Sequence, residues 1–282
     1  MQVGVIGLGA LGEPVAARLL QAGCATSVFD VRREPMRSLA ARGAVACVSP
    51  ADVSARSDFI VSLVADATQT EAIVYGDDGI LKTLRPGSIV IIGSTLGPDP
   101  VRRVAAAVAA AGGATLDAPI SGGLVAAREG TLSVMVGGEP QVLERAAPVF
   151  ATFARAVTRA GDVGAGQAAK LAHQLVFSVN VMALLEGLAL GTAGGVRPEV
   201  MKQILGEGIA NSDVLALWPD LGPRWKNMLK ATSPDAPLPN MRKDLHMVLD
   251  LARALGVPVY LGAQGSLIAD AGVATGHDDP TL

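Results

Sequence analysis

The sequence predicts an α/β fold, with an N-terminal doubly wound sheet followed by an all-helical C-terminal domain and a long helix joining them. Three observations carry this expectation. Short β-branched runs alternate with helical stretches as far as Gly161, the pattern of a parallel sheet covered on both faces. Beyond Gly161 no further strand pattern stands out. Across that change, residues 165–193 make one long apolar helical run. A chain of 282 residues has length for about two domains, and the expected partition is 1–162 and 163–282.

The first strand is expected at 3–6, where Gln2-Val3-Gly4-Val5-Ile6 opens the chain. Others follow at 26–29, 44–48, 59–64, 88–92, 115–118, 132–136 and 157–160. Helical segments fall between them at 13–22, 35–41 and 98–111, and Pro86-Gly87 and Gly112-Gly113 punctuate them as turns. The second half reads as helices at 165–193, 198–207, 240–255 and 258–271, with a Pro-rich loop at 233–239.

Composition narrows the function. A net charge of −3 and a pI near 5.6 supply no basic field for nucleic acid or an anionic membrane. Cys24 and Cys47 lack metal-ligand spacing and are expected to be small core residues. No positively charged leader precedes the first strand. The apolar run from Leu171 to Gly191 contains His173, Gln174, Asn180 and Glu186 and has no basic flank bias, so it reads as a buried domain helix. A cytoplasmic protein is expected. His246 and His277 are expected at the surface, and Trp218 and Trp225 in packing roles.

Gly7-Leu8-Gly9-Ala10-Leu11-Gly12 follows the first strand and opens a helix, the context that makes a Gly-rich turn a dinucleotide fingerprint. The first glycine permits the tight turn, the second lets a pyrophosphate approach the backbone, and the third lets helix pack on strand. The helix N-terminus supplies N–H groups and a positive dipole end. Asp30, at the end of the second strand, can accept from both ribose hydroxyls and repels a 2′-phosphate, which favours NAD over NADP. Arg32 and Arg33 could counter that repulsion, but read more simply as solvated charges at a helix entry.

Downstream, Gly164-Ala165-Gly166-Gln167-Ala168-Ala169-Lys170-Leu171-Ala172-His173-Gln174 places polar groups on an apolar helix. At roughly 100° per residue, Lys170, His173, Gln174 and Phe177 fall within about a third of a turn. An ammonium and two hydrogen-bonding side chains along one line face something polar. Ser121-Gly122-Gly123 follows a strand and offers a hydroxyl and unhindered N–H groups, a cradle suited to a carboxylate.

With these motifs in order, and with Ser94-Thr95, Pro98, Asp117-Ala118-Pro119-Ile120 and Lys243-Asp244 added, nearly the whole chain resembles the β-hydroxyacid dehydrogenase family. That family includes 3-hydroxyisobutyrate dehydrogenase and tartronate semialdehyde reductase, with 6-phosphogluconate dehydrogenase more distant. The resemblance implies a Rossmann-type domain followed by a helical domain. It implies that Lys170 is catalytic and that Ser121, Gly122 and Gly123 bind the substrate carboxylate, with His173 and Gln174 beside them. It implies cofactor contacts from Gly7, Leu8, Gly9, Ala10, Leu11, Gly12, Asp30, Arg32, Val64, Ala65, Thr95 and Lys243. No metal is implied.

The sequence departs from the family at four places. His173 stands where asparagine is usual, Ala126 where glycine is common, Gly93 where aspartate is common, and the Val64-Ala65 loop lacks the usual proline. The fold and redox class survive these changes; the identity of the acid does not follow. In the expected chemistry Lys170 removes the hydroxyl proton as hydride leaves for NAD or NADP, and protonates the alkoxide in reverse. Burial and a place in the first helical turns should lower the lysine's pKa. A reductase of imines or other carbonyls, or a non-catalytic nucleotide-binding module, are the alternatives. Lys170 counts against the first and the polar stripe against the second. The long apolar helix has more hydrophobic surface than one small domain covers, so a homodimer or homotetramer is expected.

Overall fold

The computed structural model describes residues 1–216 and 237–275. Trp218, Trp225, His277 and residues 233–236 of the expected Pro-rich loop lie outside the described residues. The chain divides into two compact units, Met1–Lys170 and Leu171–Leu282.

The first unit is built on one sheet. β1 (Gln2–Ile6), β2 (Ala25–Phe29), β3 (Val45–Ala46), β4 (Phe59–Ser62), β5 (Ile89–Ile92) and β6 (Ala114–Asp117) are parallel and lie in the order β3-β2-β1-β4-β5-β6. This is the Rossmann order, whose strand sequence reverses between β1 and β4 and so opens a crevice at the carboxyl ends of those strands. β8 (Leu132–Gly137) adds to β6 antiparallel and carries β7 (Ile120–Ser121) antiparallel and β9 (Ala154–Gly161) parallel. The sheet is therefore parallel over its nucleotide-binding half and mixed beyond it.

Alternation along the central strands builds two cores. Val3, Val5, Val61, Ile89 and Ile91 face one side, against α1 (Gly12–Gln21), α2 (Arg33–Ala40) and α7 (Pro140–Phe150). Ile6, Ile60, Val90 and Ile92 face the other, against α3 (Pro50–Ala55), α4 (Ala67–Tyr75) and α5 (Pro98–Ala110). Strands buried on both faces read as unbroken β-branched runs, which is why β4 and β5 were legible.

Three strand expectations contract, the run at 88–92 by only its first residue. The run at 44–48 pairs only at Val45–Ala46, because its one neighbour is β2 and both residues are exposed at the sheet edge. The run at 59–64 ends at Ser62, since Leu63 and Val64 turn beneath Gly7 and Asp66 caps α4 by accepting from the Gln69 N–H at 2.8 Å. Cys24 and Cys47 are buried free thiols, as expected.

The second unit is helical among the described residues. It contains most of α8 (Ala165–Ala193), then α9 (Pro198–Glu207), α10 (Asp213–Ala216), α11 (Pro237–Leu255) and α12 (Tyr260–Thr275). Residues 237–239 of the expected loop belong instead to the first turn of α11, where proline's missing N–H costs nothing. Among the described residues the long helix is covered on part of its surface, with Leu171, Val181 and Leu184 buried. Val176 and Leu190 on α8 are 59% and 77% exposed, and α8 is long and apolar enough to span a membrane by length and composition.

Candidate functional site

The crevice side of β1 is shaped by its glycines. Gly7 has φ of +90°, donates to the Phe29 carbonyl at 3.0 Å, and would place a Cβ 2.8 Å from the Leu63 carbonyl. A Cβ on Gly12 would lie 1.8 Å from the Gly7 oxygen, so α1 can begin this close to the turn only with glycine there. Gly9 differs from both. Its Cβ would meet no atom of the described residues within 4 Å, so nothing among them requires a glycine at that position. Among the described residues none accepts from the N–H groups of Gly9, Ala10 or Leu11. Open space above a glycine, beside donors at the N-terminus of α1, fits the pyrophosphate of a dinucleotide.

Asp30 closes one side of this turn. It is buried and accepts from the Leu8 N–H at 2.7 Å and from the Arg32 N–H at 2.8 Å. Arg32 is solvated, as its position suggested, with 57% of its side chain exposed, but it is also paired. Its Nε lies 3.1 Å from Asp30 Oδ1 and its Nη2 donates to the Leu8 carbonyl at 3.0 Å. A carboxylate two residues away, with a carbonyl beside it, offers a bidentate grip that the sequence spacing did not reveal. Burial pushes the Asp30 carboxyl up, but the Arg32 side chain, the two N–H donors and the Arg32 charge together hold it below the ordinary carboxylate value.

Val64 and Ala65 lie in the loop after β4. The Val64 carbonyl accepts from Ser94 Oγ at 2.6 Å, and the Ala65 N–H donates to Gln69 at 3.0 Å. Thr95 follows Ser94, half-buried, at the end of β5. The departure at Gly93 has a steric reason: a Cβ there would lie 2.6 Å from Leu63 Cδ2, so leucine fills the space an aspartate would need. The alanine at 126 has a consequence rather than a visible cause: a Cβ on Gly122 would come within 2.7 Å of its methyl, so position 122 stays glycine. Ser121 ends β7, and Gly122 and Gly123, with φ of +127° and +69°, are exposed at the start of α6 (Gly123–Glu129).

Lys170 is buried, 7% exposed, in the first turns of α8. The start of that helix is held by two residues to which the sequence reading gave no role. Asp117, at the end of β6 and wholly buried, accepts from the Gly164 and Gln167 N–H groups, each at 2.8 Å. Gln167, also wholly buried, accepts from the Leu96 N–H at 2.8 Å and donates to the Ser94 carbonyl at 2.9 Å. One carboxylate and one amide thus tie α8 to the ends of β5 and β6, one turn before Lys170. Gly166 permits the approach, because its Cβ would lie 2.6 Å from the Met135 carbonyl and 2.7 Å from Asp117 Oδ2. Burial raises the Asp117 carboxyl above its ordinary value, against the pull of those two N–H donors. The only sequence signal for this was the Gly-x-Gly spacing before Gln167.

In the second unit, Gln174 is half-buried and donates through Nε2 to Asp244 Oδ2 at 2.6 Å, while its Oε1 lies 3.1 Å from Nδ1 of the exposed His173. Asp244 is buried, and the half-buried Lys243 has its Nζ 3.7 Å from Asp244 Oδ1. His246 pairs with Asp270 at 3.1 Å.

Comparison with known proteins agrees with this geometry. Residues 2–161 match the family model for the NAD binding domain of 6-phosphogluconate dehydrogenase. Residues 164–281 match that for the NAD-binding region of NADP-dependent 3-hydroxyisobutyrate dehydrogenase. The L-threonate dehydrogenase of Cupriavidus necator is 35% identical, covering 99% of this chain and 94% of its own. The 3-hydroxyisobutyrate dehydrogenase of Pseudomonas aeruginosa is 34% identical, covering 93% and 88%. A crystal structure of 3-hydroxyisobutyrate dehydrogenase from Salmonella typhimurium superposes with a TM-score of 0.86 at 30% identity, covering 99% of this chain and 97% of that one. With the dinucleotide turn, the Rossmann strand order and both family models agreeing along its length, the chain belongs to the NAD(P)-dependent β-hydroxyacid dehydrogenases.

Proposed function

We propose that this enzyme oxidises the β-hydroxyl of a small carboxylic acid, or reduces the matching semialdehyde or ketone, with Lys170 as general acid and base. The observation that carries this reading is a buried lysine one turn beyond a helix start fixed by Asp117 and Gln167. When bound, the nicotinamide accepts or returns the hydride. Lys170 Nζ, as the free amine, takes the hydroxyl proton during oxidation; as the ammonium it gives that proton back during reduction. The ammonium also stabilises negative charge growing on the substrate oxygen. Ser121, Gly122 and Gly123 hold the carboxylate through a hydroxyl and backbone N–H groups, and Gln174 and His173 contact the rest of the acid. Gly7 to Gly12, Asp30, Val64, Ala65, Thr95 and Lys243 hold the cofactor.

The test is turnover of small 3-hydroxy acids (3-hydroxyisobutyrate, serine and threonate among them) with NAD and with NADP. Gly123→Ala sharpens it. A Cβ there meets no protein atom but enters the cradle, at a backbone cost of roughly 1–2 kcal/mol for a side chain at positive φ. The expected result is a raised KM for the acid with cofactor affinity unchanged. An unaltered KM removes the cradle from the proposal.

NAD is proposed as the preferred cofactor, because Asp30 is held ionised where the adenosine ribose would sit. Asp30→Ala removes the acceptor of the Leu8 N–H and the carboxylate that pairs with Arg32. Hydrogen bonds to a charged group are worth about 1.5–3 kcal/mol, so kcat/KM with NAD is expected to fall roughly 10- to 100-fold. The NADP value should fall less or rise. A wild-type enzyme that favours NADP overturns the assignment.

We also propose a cytoplasmic homo-oligomer that covers the apolar residues left open on α8 and α12, among them Leu190, Leu261 and Leu267. A monomeric mass by light scattering would refute it.

A further inference from the structure

Gln167 clasps three backbone groups of one short segment, and the clasp needs an amide. Its Oε1 accepts from the Leu96 N–H at 2.8 Å and from the Gly97 N–H at 3.3 Å, and its Nε2 donates to the Ser94 carbonyl at 2.9 Å. Backbone N–H groups only donate and a carbonyl only accepts, so the partners fix the orientation of the amide. Thr95 is the residue between the clasped peptide groups, half-buried, and its hydroxyl has no hydrogen-bond partner among the described residues. The clasp reaches one loop further, because Ser94 Oγ donates to the Val64 carbonyl at 2.6 Å. Gln167 is wholly buried, three residues before Lys170, and all of these groups belong to the first unit. Asp117 holds the Gln167 backbone and not its amide. The sheet order says which part of a dinucleotide these loops would meet. Asp30 follows β2 on one side of the Gly-rich turn, so the adenosine half falls there and the nicotinamide half falls toward β4 and β5.

We propose that Gln167 is a positioning residue for the nicotinamide half of the cofactor, holding Thr95 directly and Val64 through Ser94 on the same clasp that fixes the helix turn before Lys170. The loops after β4 and β5 and the start of α8 then move as one body, so the nicotinamide and the proton carrier keep a common reference. A carboxylate at 167 would have the same shape and could not do this, because it has nothing to donate to the Ser94 carbonyl. The step to the cofactor rests on the proposed function, which puts Val64, Thr95 and Lys170 around the reacting ring; the requirement for an amide does not.

The test compares, in the full-length protein, binding of the reduced cofactor that the wild type prefers with binding of the same molecule lacking its nicotinamide ring (ADP-ribose in the case of NADH). Gln167→Glu keeps the size and the acceptor for Leu96 and Gly97 but, when ionised, loses the donor to Ser94. Protonated, it regains one, and burial and the facing carbonyl both favour that proton. The variant should therefore match the wild type at low pH and fail as pH rises through one raised ionisation. Its affinity for NADH relative to wild type is expected to fall by roughly tenfold across that ionisation, the scale of one unmade buried hydrogen bond. Its relative affinity for ADP-ribose should not change. A NADH ratio flat with pH overturns the proposal. So does an equal loss of ADP-ribose, which would make Gln167 a residue of the fold alone. Ser94→Ala cuts only the link to Val64 and should weaken NADH by less, with no pH dependence; wild-type NADH affinity in that variant refutes the Val64 arm. It also keeps the proposal open to refutation if the glutamate variant unfolds, which circular dichroism reads at each pH. Turnover by Gln167→Glu should lose kcat through the same ionisation. Absence of wild-type turnover on every acid refutes the proposed function, while the two binding ratios still decide the role of Gln167.

Discussion

Lys170→Ala is expected to lower kcat by something on the order of 10²–10⁴, the usual worth of a positioned acid–base group. The lysine is buried on α8, while the Gly-rich turn and Asp30 sit at the carboxyl ends of β1 and β2, so the dissociation constant for the cofactor should barely move. Lys170→Arg should fail as badly, because a guanidinium keeps its proton at any working pH. A lysine that acts as base must be neutral to do so. The oxidation rate of the wild type should therefore rise with pH through one ionisation, and that ionisation should vanish from the Lys170→Ala profile. Steady-state kinetics across pH in both directions, with cofactor binding measured separately, checks each part. Near wild-type turnover in Lys170→Ala would remove the lysine from the chemistry and make His173 the leading proton carrier.

The features legible in the sequence are those imposed by period and by steric necessity. Doubly buried strands write themselves as unbroken Val and Ile runs, so β1, β4 and β5 were found with small errors at their ends. The Gly7 and Gly12 spacing announces a close approach of chain to chain, and the structure places an oxygen or a carbonyl where each side chain would go. What stayed hidden depends on partners distant along the chain. β7 is two residues long and exists only because β8 returns antiparallel beside it, which no local pattern encodes. Asp117 reads as part of a loop motif until α8 comes to rest on it, fifty residues downstream of β6 by the Gln167 contact. Arg32 is exposed as expected, but its pairing with Asp30 and the Leu8 carbonyl depends on a turn some twenty residues upstream. What covers the rest of α8 stayed hidden for a related reason: apolar periodicity says that a face will be covered but not by which chain.

Asp117→Asn is the second substitution expected to have a large effect, although its side chain changes by a single group. The carboxylate satisfies two backbone donors at the start of α8, Gly164 N–H through Oδ1 and Gln167 N–H through Oδ2. An asparagine keeps one acceptor and turns an NH₂ against the other donor, leaving a buried N–H unpaired. Such a group costs about 1–3 kcal/mol, and the loss should appear as a lower denaturation midpoint at neutral pH. The pH dependence has a definite sign. The folded-state pKa of Asp117 is raised above the unfolded value, so the folded protein holds that proton more tightly. The wild type's advantage from this residue is complete below the unfolded pKa and declines as pH rises through the folded one. Asparagine does not titrate, so the stability gap between wild type and variant should be wider near pH 4 than at pH 7. The effect on activity follows from the same contacts. If α8 is released from β6, Lys170 moves with it, and a displacement of about 1 Å at a reacting group can cost on the order of 10² in rate. Cofactor affinity should be spared, because Asp117 touches none of the residues around Gly9. A variant with intact kcat and a stability gap flat across pH would show that the helix start is held by packing at Gly166 alone.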